Sequence, residues 1–522
     1  MNSVLGPSPH LTQNWEVTKA AAEGRRGVVV TQARDASNVG AEILSEGGSA
    51  ADAAVGAALA LAVVEPWNSG LGGVGFGVLR DPNGGRWALD FGPVSPRHVA
   101  PEYYPLTGDN SAEIFGWPKV EGDVNVHGPL SFCSPAAVAG LGTLHDRFGK
   151  LPWSRVVEPA IDLARRGMAR DWFSTAKIAQ MMHLLRLYPE TAKIYLPEGL
   201  LPVAAEKGNA TFLSQGKLAD TLALLARDGW KSFYNGEAAD LLAADLRECG
   251  ALLTDGDLRD VRATLTPARV MRWHGLDLAL PPEGCGVDVL LDTLKRLERP
   301  TERNVDWYVA LSGALLQAYR TRIAEEKDNA AEPPRETCTT HLSACDGDGM
   351  MVSLTTTLLG LMGSAVALPR TGVLMNNGMM WFDPRPGREN SIAPSTRPKS
   401  NMLPLLCETE TGARFALGAS GGRRIVSAVL NAMADVGLFG MAPAVSAHAP
   451  RIDVSGPDMI VADRRFDPEI AQALSAVGPV TLCEHAAAPL NFGCPSILMS
   501  KDGLSVGQPD VMTPWSTAIA VS

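Results

Sequence analysis

Thr339-Thr-His-Leu-Ser-Ala-Cys-Asp-Gly-Asp-Gly349, running on into Met350-Met-Val-Ser-Leu-Thr-Thr-Thr-Leu358, is the stretch on which the fold turns. His341 to Cys345 and Met350 to Leu358 alternate well enough to read as two strands. Asp346-Gly-Asp-Gly349 between them has the composition of a hairpin turn. A two-residue loop at Gly347-Asp348 sets Thr339 opposite Thr356, and a three-residue loop sets it opposite Thr357. In either register the Thr355-Thr-Thr357 run comes beside Thr339, because opposed residues on paired strands lie about 5 Å apart.

A strand threonine is an ordinary structural residue, and its hydroxyl is a poor nucleophile without a base. A threonine at a chain end carries its own base, the free α-amine, whose pKa is roughly 7.7–8.0. Thr339 reaches that state only if the chain is cut before it. The residues upstream, Ile323 to Thr337 (IAEEKDNAAEPPRET), are charged and poor in apolar groups, which reads as a flexible linker over about 323–338. Further on, Gly421-Gly422 stands just before a helix beginning near Arg424. Two adjacent N–H groups with no side chains to shield them suit an oxyanion hole, although a helix-entry turn has the same composition.

Working outward, the first strand is expected at Gly27 to Thr31 and a helix at Ala36 to Ser45. Ser49 and Asp52 form the sequence of a capping box for an alanine-rich helix ending at Val64, apolar on most faces and therefore buried. Gly70-Leu-Gly-Gly-Val-Gly75 satisfies GxGxxG, but it follows a helix and precedes a strand at Phe76 to Leu79. A dinucleotide fingerprint has the opposite order, so the glycines read as close backbone packing and no cofactor is expected. Residues 134–260 read as mainly helical, with helices opened by Ser134-Pro135 and by Leu151-Pro152 and others at Asp220 to Asp228 and Glu237 to Glu248. Residues 260–320 mix short strands with a helix near Val287 to Leu297. Strands are expected at Gly372 to Met375 and Arg414 to Gly418, and a helix from Arg424 to Val436.

Composition narrows the class. The 522 residues are 46% hydrophobic and 20% charged, with a formal charge of −11, as in an ordinary soluble protein with a sizeable core. No basic block points to nucleic acid. The most apolar run, Ala53 to Val64, is too short to span a bilayer, and the N-terminus lacks a secretory pattern, so a cytoplasmic protein is expected. Eight scattered cysteines without a CxxC pair suggest reduced thiols, and no spacing suggests a metal site. A cysteine nucleophile at Cys338 or Cys345 lacks a suitable histidine. His341 reads as a structural hydrogen-bonding residue, and Trp67 and Trp381 as core or pocket wall.

Six segments together resemble the γ-glutamyltranspeptidases of the N-terminal-nucleophile hydrolase superfamily. They are residues 40–76, residues 145–167, the Thr339 segment, Leu354-Thr-Thr-Thr-Leu358, Asn376-Asn-Gly-Met379 and Gly418-Ala-Ser-Gly-Gly-Arg-Arg-Ile425, all in the family's order. The resemblance implies a four-layer αββα sandwich of the α/β class. It implies autoprocessing of the Cys338–Thr339 bond into a large subunit, 1–338, and a small one, 339–522, sharing one core. Carried over, Thr339 is the nucleophile, Thr357 contacts its α-amine, and Gly421 and Gly422 form the oxyanion hole. Ser400 and Asn401 match a carboxylate-binding pair, and Asn377, Gly378 and Trp381 lie in the acyl-binding motif. The family's carboxylate-pairing arginine falls at Gly92, with Arg97 nearby but offset; its acceptor asparagine falls at Leu359, and its binding glutamine and aspartate at Gly378 and Trp381. Catalytic positions are kept while recognition positions are not. This implies hydrolysis of an amide with a less polar acyl group; γ-glutamyl hydrolysis or transfer with rearranged recognition, and a non-catalytic binding protein, are the alternatives.

Overall fold

The computed structural model describes residues 14–110, 117–326 and 337–522. Two seven-stranded sheets, every pairing antiparallel, stack face to face. The first runs Thr517–Val521, Gly27–Thr31, Thr337–Asp346, Met351–Gly360, Val74–Arg80, Arg86–Phe91, Thr264–Pro267. The second runs Ala22–Gly24, Leu504–Gln508, Cys494–Lys501, Arg414–Ser420, Leu405–Thr409, Leu276–Leu280, Arg269–Trp273. Helices Arg34–Ser45 and Ala50–Val64 cover the outer face of the first sheet, and Arg424–Met433 covers the second. The result is the expected αββα sandwich.

Strand periodicity accounts for the layering. Val28 and Val30 enter the cluster between the sheets together with Leu406, Ala416 and Leu498 of the opposite sheet, whereas Val29 joins the helix-side core. With helices over one face and a sheet over the other, all ten residues of Met351–Gly360 are buried. The predicted capping box is present. The Ser49 hydroxyl accepts the Asp52 N–H, and the Asp52 carboxylate accepts the Ser49 N–H at 2.8 Å and the Lys150 N–H at 2.7 Å. Every residue of Ala50–Val64 is buried, and Gly56 lets the helix approach its partner so closely that a Cβ there would lie 2.2 Å from Ile43 Cδ1.

Several elements depart from expectation. The helix Val305–Glu326 occupies the start of the expected linker, and the strand begins at Thr337, leaving 327–336 outside the described residues. Gly372 to Met375 is not a strand: it makes only the isolated bridges Ala367↔Leu374 and Gly72↔Met375, inside a loop where Met362 and Ala365 take positive φ. The helix from Arg424 ends at Met433 and loosens into a π-type turn to Leu438. Cys494–Lys501 and Leu504–Gln508 complete the second sheet through a two-residue turn, Asp502-Gly503, with both φ positive (51° and 72°). All eight cysteines are free thiols. Among the described residues no helix is long and apolar enough to cross a membrane.

Because Asp52 satisfies backbone donors from both the Ser49 turn and the Lys150 loop, Asp52→Ala should destabilise the protein by about 1–3 kcal/mol, seen as a lower urea midpoint. Asp52→Asn, which retains one acceptor, should lose less.

Candidate active site

The Thr337–Asp346 and Met351–Gly360 strands pair Thr340 with Thr356 and His341 with Thr355, but Cys338 with Leu359. The register slips by one residue at Thr339. That irregularity turns the Thr339 side chain back along its own strand, and its hydroxyl lies 2.6 Å from the Cys338 carbonyl oxygen. The Thr357 hydroxyl donates to the same oxygen at 2.5 Å and lies 3.4 Å from Thr339 Oγ1. The pairing beyond the slip is the one a three-residue loop implied. Thr357 is itself fixed, because its hydroxyl accepts the Leu359 N–H at 2.8 Å. Leu359 holds this position with φ +82°, a left-handed conformation that asparagine tolerates and leucine rarely adopts.

The glycines of 70–75 serve this hairpin. A Cβ on Gly73 would lie 2.6 Å from the Thr357 carbonyl oxygen, and one on Gly75 2.2 Å from that of Thr355. Their role is close backbone approach, as read from their position between helix and strand. His341 is structural: it bonds Thr355 Oγ1 at 2.9 Å and Ser343 Oγ at 3.1 Å, and burial pushes its imidazole down to about 3, leaving it neutral.

Gly421 and Gly422 take φ of 121° and 63° between the Arg414–Ser420 strand and the Arg424–Met433 helix. Arg424 locks this turn, donating from Nε to the Gly421 carbonyl at 3.2 Å and from Nη1 to the Leu490 carbonyl at 2.6 Å. Gly421 shares a cavity of about 250 Å³ with Cys338, Thr339, Asn68, Lys177 and Arg424, closed on other sides by apolar groups such as Phe173 and Leu490. Thr339 and the glycine turn therefore face one space.

The positions that the resemblance assigns to recognition lie elsewhere and are mostly engaged. Asn377 accepts the Gly360 N–H at 2.7 Å and donates to the Val126 carbonyl at 2.8 Å, tying down the strand end beyond Leu359. Gly378 is pressed on Cys133, with room for no side chain. Trp381 is buried in the main core. Ser400 and Asn401 are buried beside the Gly284 turn: the Ser400 N–H donates to the Gly284 carbonyl at 2.8 Å, and Asn401 Oδ1 accepts from Arg322 at 2.7 Å. None of these lines the Thr339 cavity. Arg97 is not brought to the site either, because its guanidinium is held by Asp257 at 3.1 Å and Asp260 at 2.6 Å. The space beside Gly92 is taken instead by Arg397, which forms a two-pronged ion pair with Asp90. Sequence reading overlooked Arg397, Asn68 and Lys177, and named Arg424 only as a helix start within the Gly418–Ile425 segment. Only Asn68 carried a signal, being the last polar side chain but one before the glycine run.

An αββα sandwich with a buried threonine hydroxyl on the preceding carbonyl, facing a glycine turn, is the frame of an N-terminal-nucleophile hydrolase. Comparison with known proteins narrows the class. Residues 36–322 and 304–507 match the gamma-glutamyltranspeptidase family. The glutathione hydrolase proenzyme of Escherichia coli is 28% identical, over 93% of this chain and 90% of that one. The acylase ACY 1 proenzyme of Pseudomonas sp. strain SE83 is 30% identical, over 96% and 94%. Among solved structures, cephalosporin acylase from Bacillus halodurans superposes with a TM-score of 0.83 over 99% of this chain and all of the other, at 22% identity, which is a likeness of fold. The chain belongs to the γ-glutamyltranspeptidase family.

Gly422→Ala is expected to leave the fold intact and to lower amide turnover by about 10²-fold or more, since a side chain at φ 63° must twist the turn. Steady-state kinetics beside circular dichroism would check this.

Proposed function

We propose that the chain cuts itself between Cys338 and Thr339, giving fragments 1–338 and 339–522, and that Thr339 then hydrolyses an amide whose acyl group is less polar than γ-glutamyl. The observation that carries this reading is the convergence of two hydroxyls, from Thr339 and Thr357, on the Cys338 carbonyl. In processing, Thr339 Oγ adds to the Cys338 carbonyl carbon while Thr357 donates to the developing oxyanion. Collapse breaks the C–N bond, the proton lost by the hydroxyl goes to the departing nitrogen, and an ester remains. Water hydrolyses the ester, leaving a Cys338 carboxylate and a free Thr339 amine.

The same chemistry serves the substrate. The α-amine takes the hydroxyl proton as Oγ attacks the amide, and the proton passes to the leaving amine. Water then releases the acid from the acyl-enzyme. Gly421 and Gly422 offer N–H groups for the oxyanion. The less polar acyl side is supported by the Thr339 cavity itself, whose lining includes Phe173, Leu361, Pro489, Leu490 and Met512 and, among the described residues, holds no carboxylate for a buried ammonium. The interleaving of strands from both fragments in each sheet supports their remaining together. One observation favours a second reading, γ-glutamyl hydrolysis or transfer: Arg397 stands beside Gly92 and supplies a guanidinium near that position.

Dividing 55.2 kDa in proportion to 338 and 184 residues gives fragments of about 36 and 19 kDa. A denaturing gel of the wild type should show these two bands, and Thr339→Ala should stay at full length and be inactive; a cleaved, active Thr339→Ala protein would refute the proposal. Because the base is an amine that works only when neutral, kcat/KM should fall as pH drops below about 8. γ-Glutamyl-p-nitroanilide should be turned over at least about tenfold less efficiently than an uncharged acyl anilide, for want of a carboxylate in the cavity to hold its ammonium. The reverse order in a matched anilide series would favour the second reading.

A further inference from the structure

Glu65 is a carboxyl group with 0% exposure at the C-terminal end of the Ala50–Val64 helix, where the helix dipole opposes negative charge. Burial pushes it up to about 7, with Lys177 the charged group that pulls it back. Such a residue is costly, and an apolar side chain would pack there more favourably. One of its oxygens, Oε1, has no hydrogen-bond partner among the described residues. The other accepts from Asn68 Nδ2 at 3.2 Å and more weakly from Thr340 Oγ1 at 3.4 Å.

Those two partners stand on opposite flanks of the Cys338–Thr339 bond. Thr340 follows Thr339 directly. Asn68 receives the Cys338 thiol on its side-chain oxygen, and its carbonyl accepts the Leu358 N–H at 2.9 Å. The register slip falls between the same residues, Cys338 and Thr340. A purely structural loop anchor would engage both carboxyl oxygens and would have no need to reach both sides of one peptide bond.

We propose that Glu65 is a positioning residue for self-cleavage: through Asn68 and Thr340 it grips both sides of the Cys338–Thr339 bond and holds the slipped register that lays the Thr339 hydroxyl on the Cys338 carbonyl. The inference rests on the processing reading above. Glutamine at 65 keeps an acceptor for both partners, whereas leucine keeps only the volume. Thr340→Val removes one grip without touching Glu65.

The test follows cleavage of freshly purified precursor on denaturing gels, with thermal unfolding as the control. Glu65→Leu is expected to cleave at least about tenfold more slowly than wild type, since small misplacements of reacting groups cost that much or more, while its melting temperature is equal or higher. Glu65→Gln is expected to recover cleavage to within about threefold of wild type, and Thr340→Val to fall between. Wild-type cleavage rates in both Glu65→Leu and Thr340→Val would overturn the proposal. A wild type that never cleaves would instead refute the processing reading, so the two failures are distinguishable.

Discussion

A strand cannot keep even register with its neighbour and also lay one of its hydroxyls on the carbonyl just before it. The Thr337–Asp346 strand meets both demands by slipping one residue against Met351–Gly360, and the surroundings are arranged to make that slip tolerable. Glycines at 73 and 75 let the adjacent Val74–Arg80 strand close on the Thr355–Thr357 run. Leu359 accepts a left-handed backbone to give its N–H to Thr357. Asn377 ties the strand end beyond it. Strain of this kind persists only where neighbours over-determine the backbone, and here they come from three separate stretches of chain.

The same layout separates chemistry from recognition. Thr339 and Thr357 sit on central strands and Gly421 on a turn locked by Arg424, all buried. Positions 92, 359, 378 and 381, which the sequence resemblance assigns to recognition, are filled by apolar groups, bare backbone or packing against Cys133. Three of these positions lie on elements other than the hairpin, whereas Leu359 shares its strand with Thr357 and donates its N–H to it.

Legibility followed the same division. Local signals were strong: the capping box at Ser49 and Asp52, the strand at Gly27–Thr31, the helix at Glu237–Glu248 and the threonine hairpin all form where short-range pattern puts them. The exact hairpin register was open, since loop length fixes it and the turn allowed two lengths. The strand at 372–375 was read from β-propensity, which fails in a loop held by tertiary bridges. Arg97 and Arg397 show the deeper limit. Both are arginines at modest sequence distance from recognition motifs, and only the partners that the fold supplies, Asp257 and Asp260 for one and Asp90 for the other, decide where each guanidinium goes.

The interleaved sheets set the order of events in the life of the molecule. The first sheet draws strands from residues 27–91 and 264–267 as well as from 337–360 and 517–521, and the second is similarly mixed. The arrangement is reachable by one continuous chain, whose ends are tethered while distant strands find each other. If the chain is cut before Thr339, as proposed, an unfolded molecule becomes two solutes, and its recovery depends on concentration and competes with aggregation. The lifetime of such a cut protein would be governed by how slowly it opens rather than by how readily it could re-form.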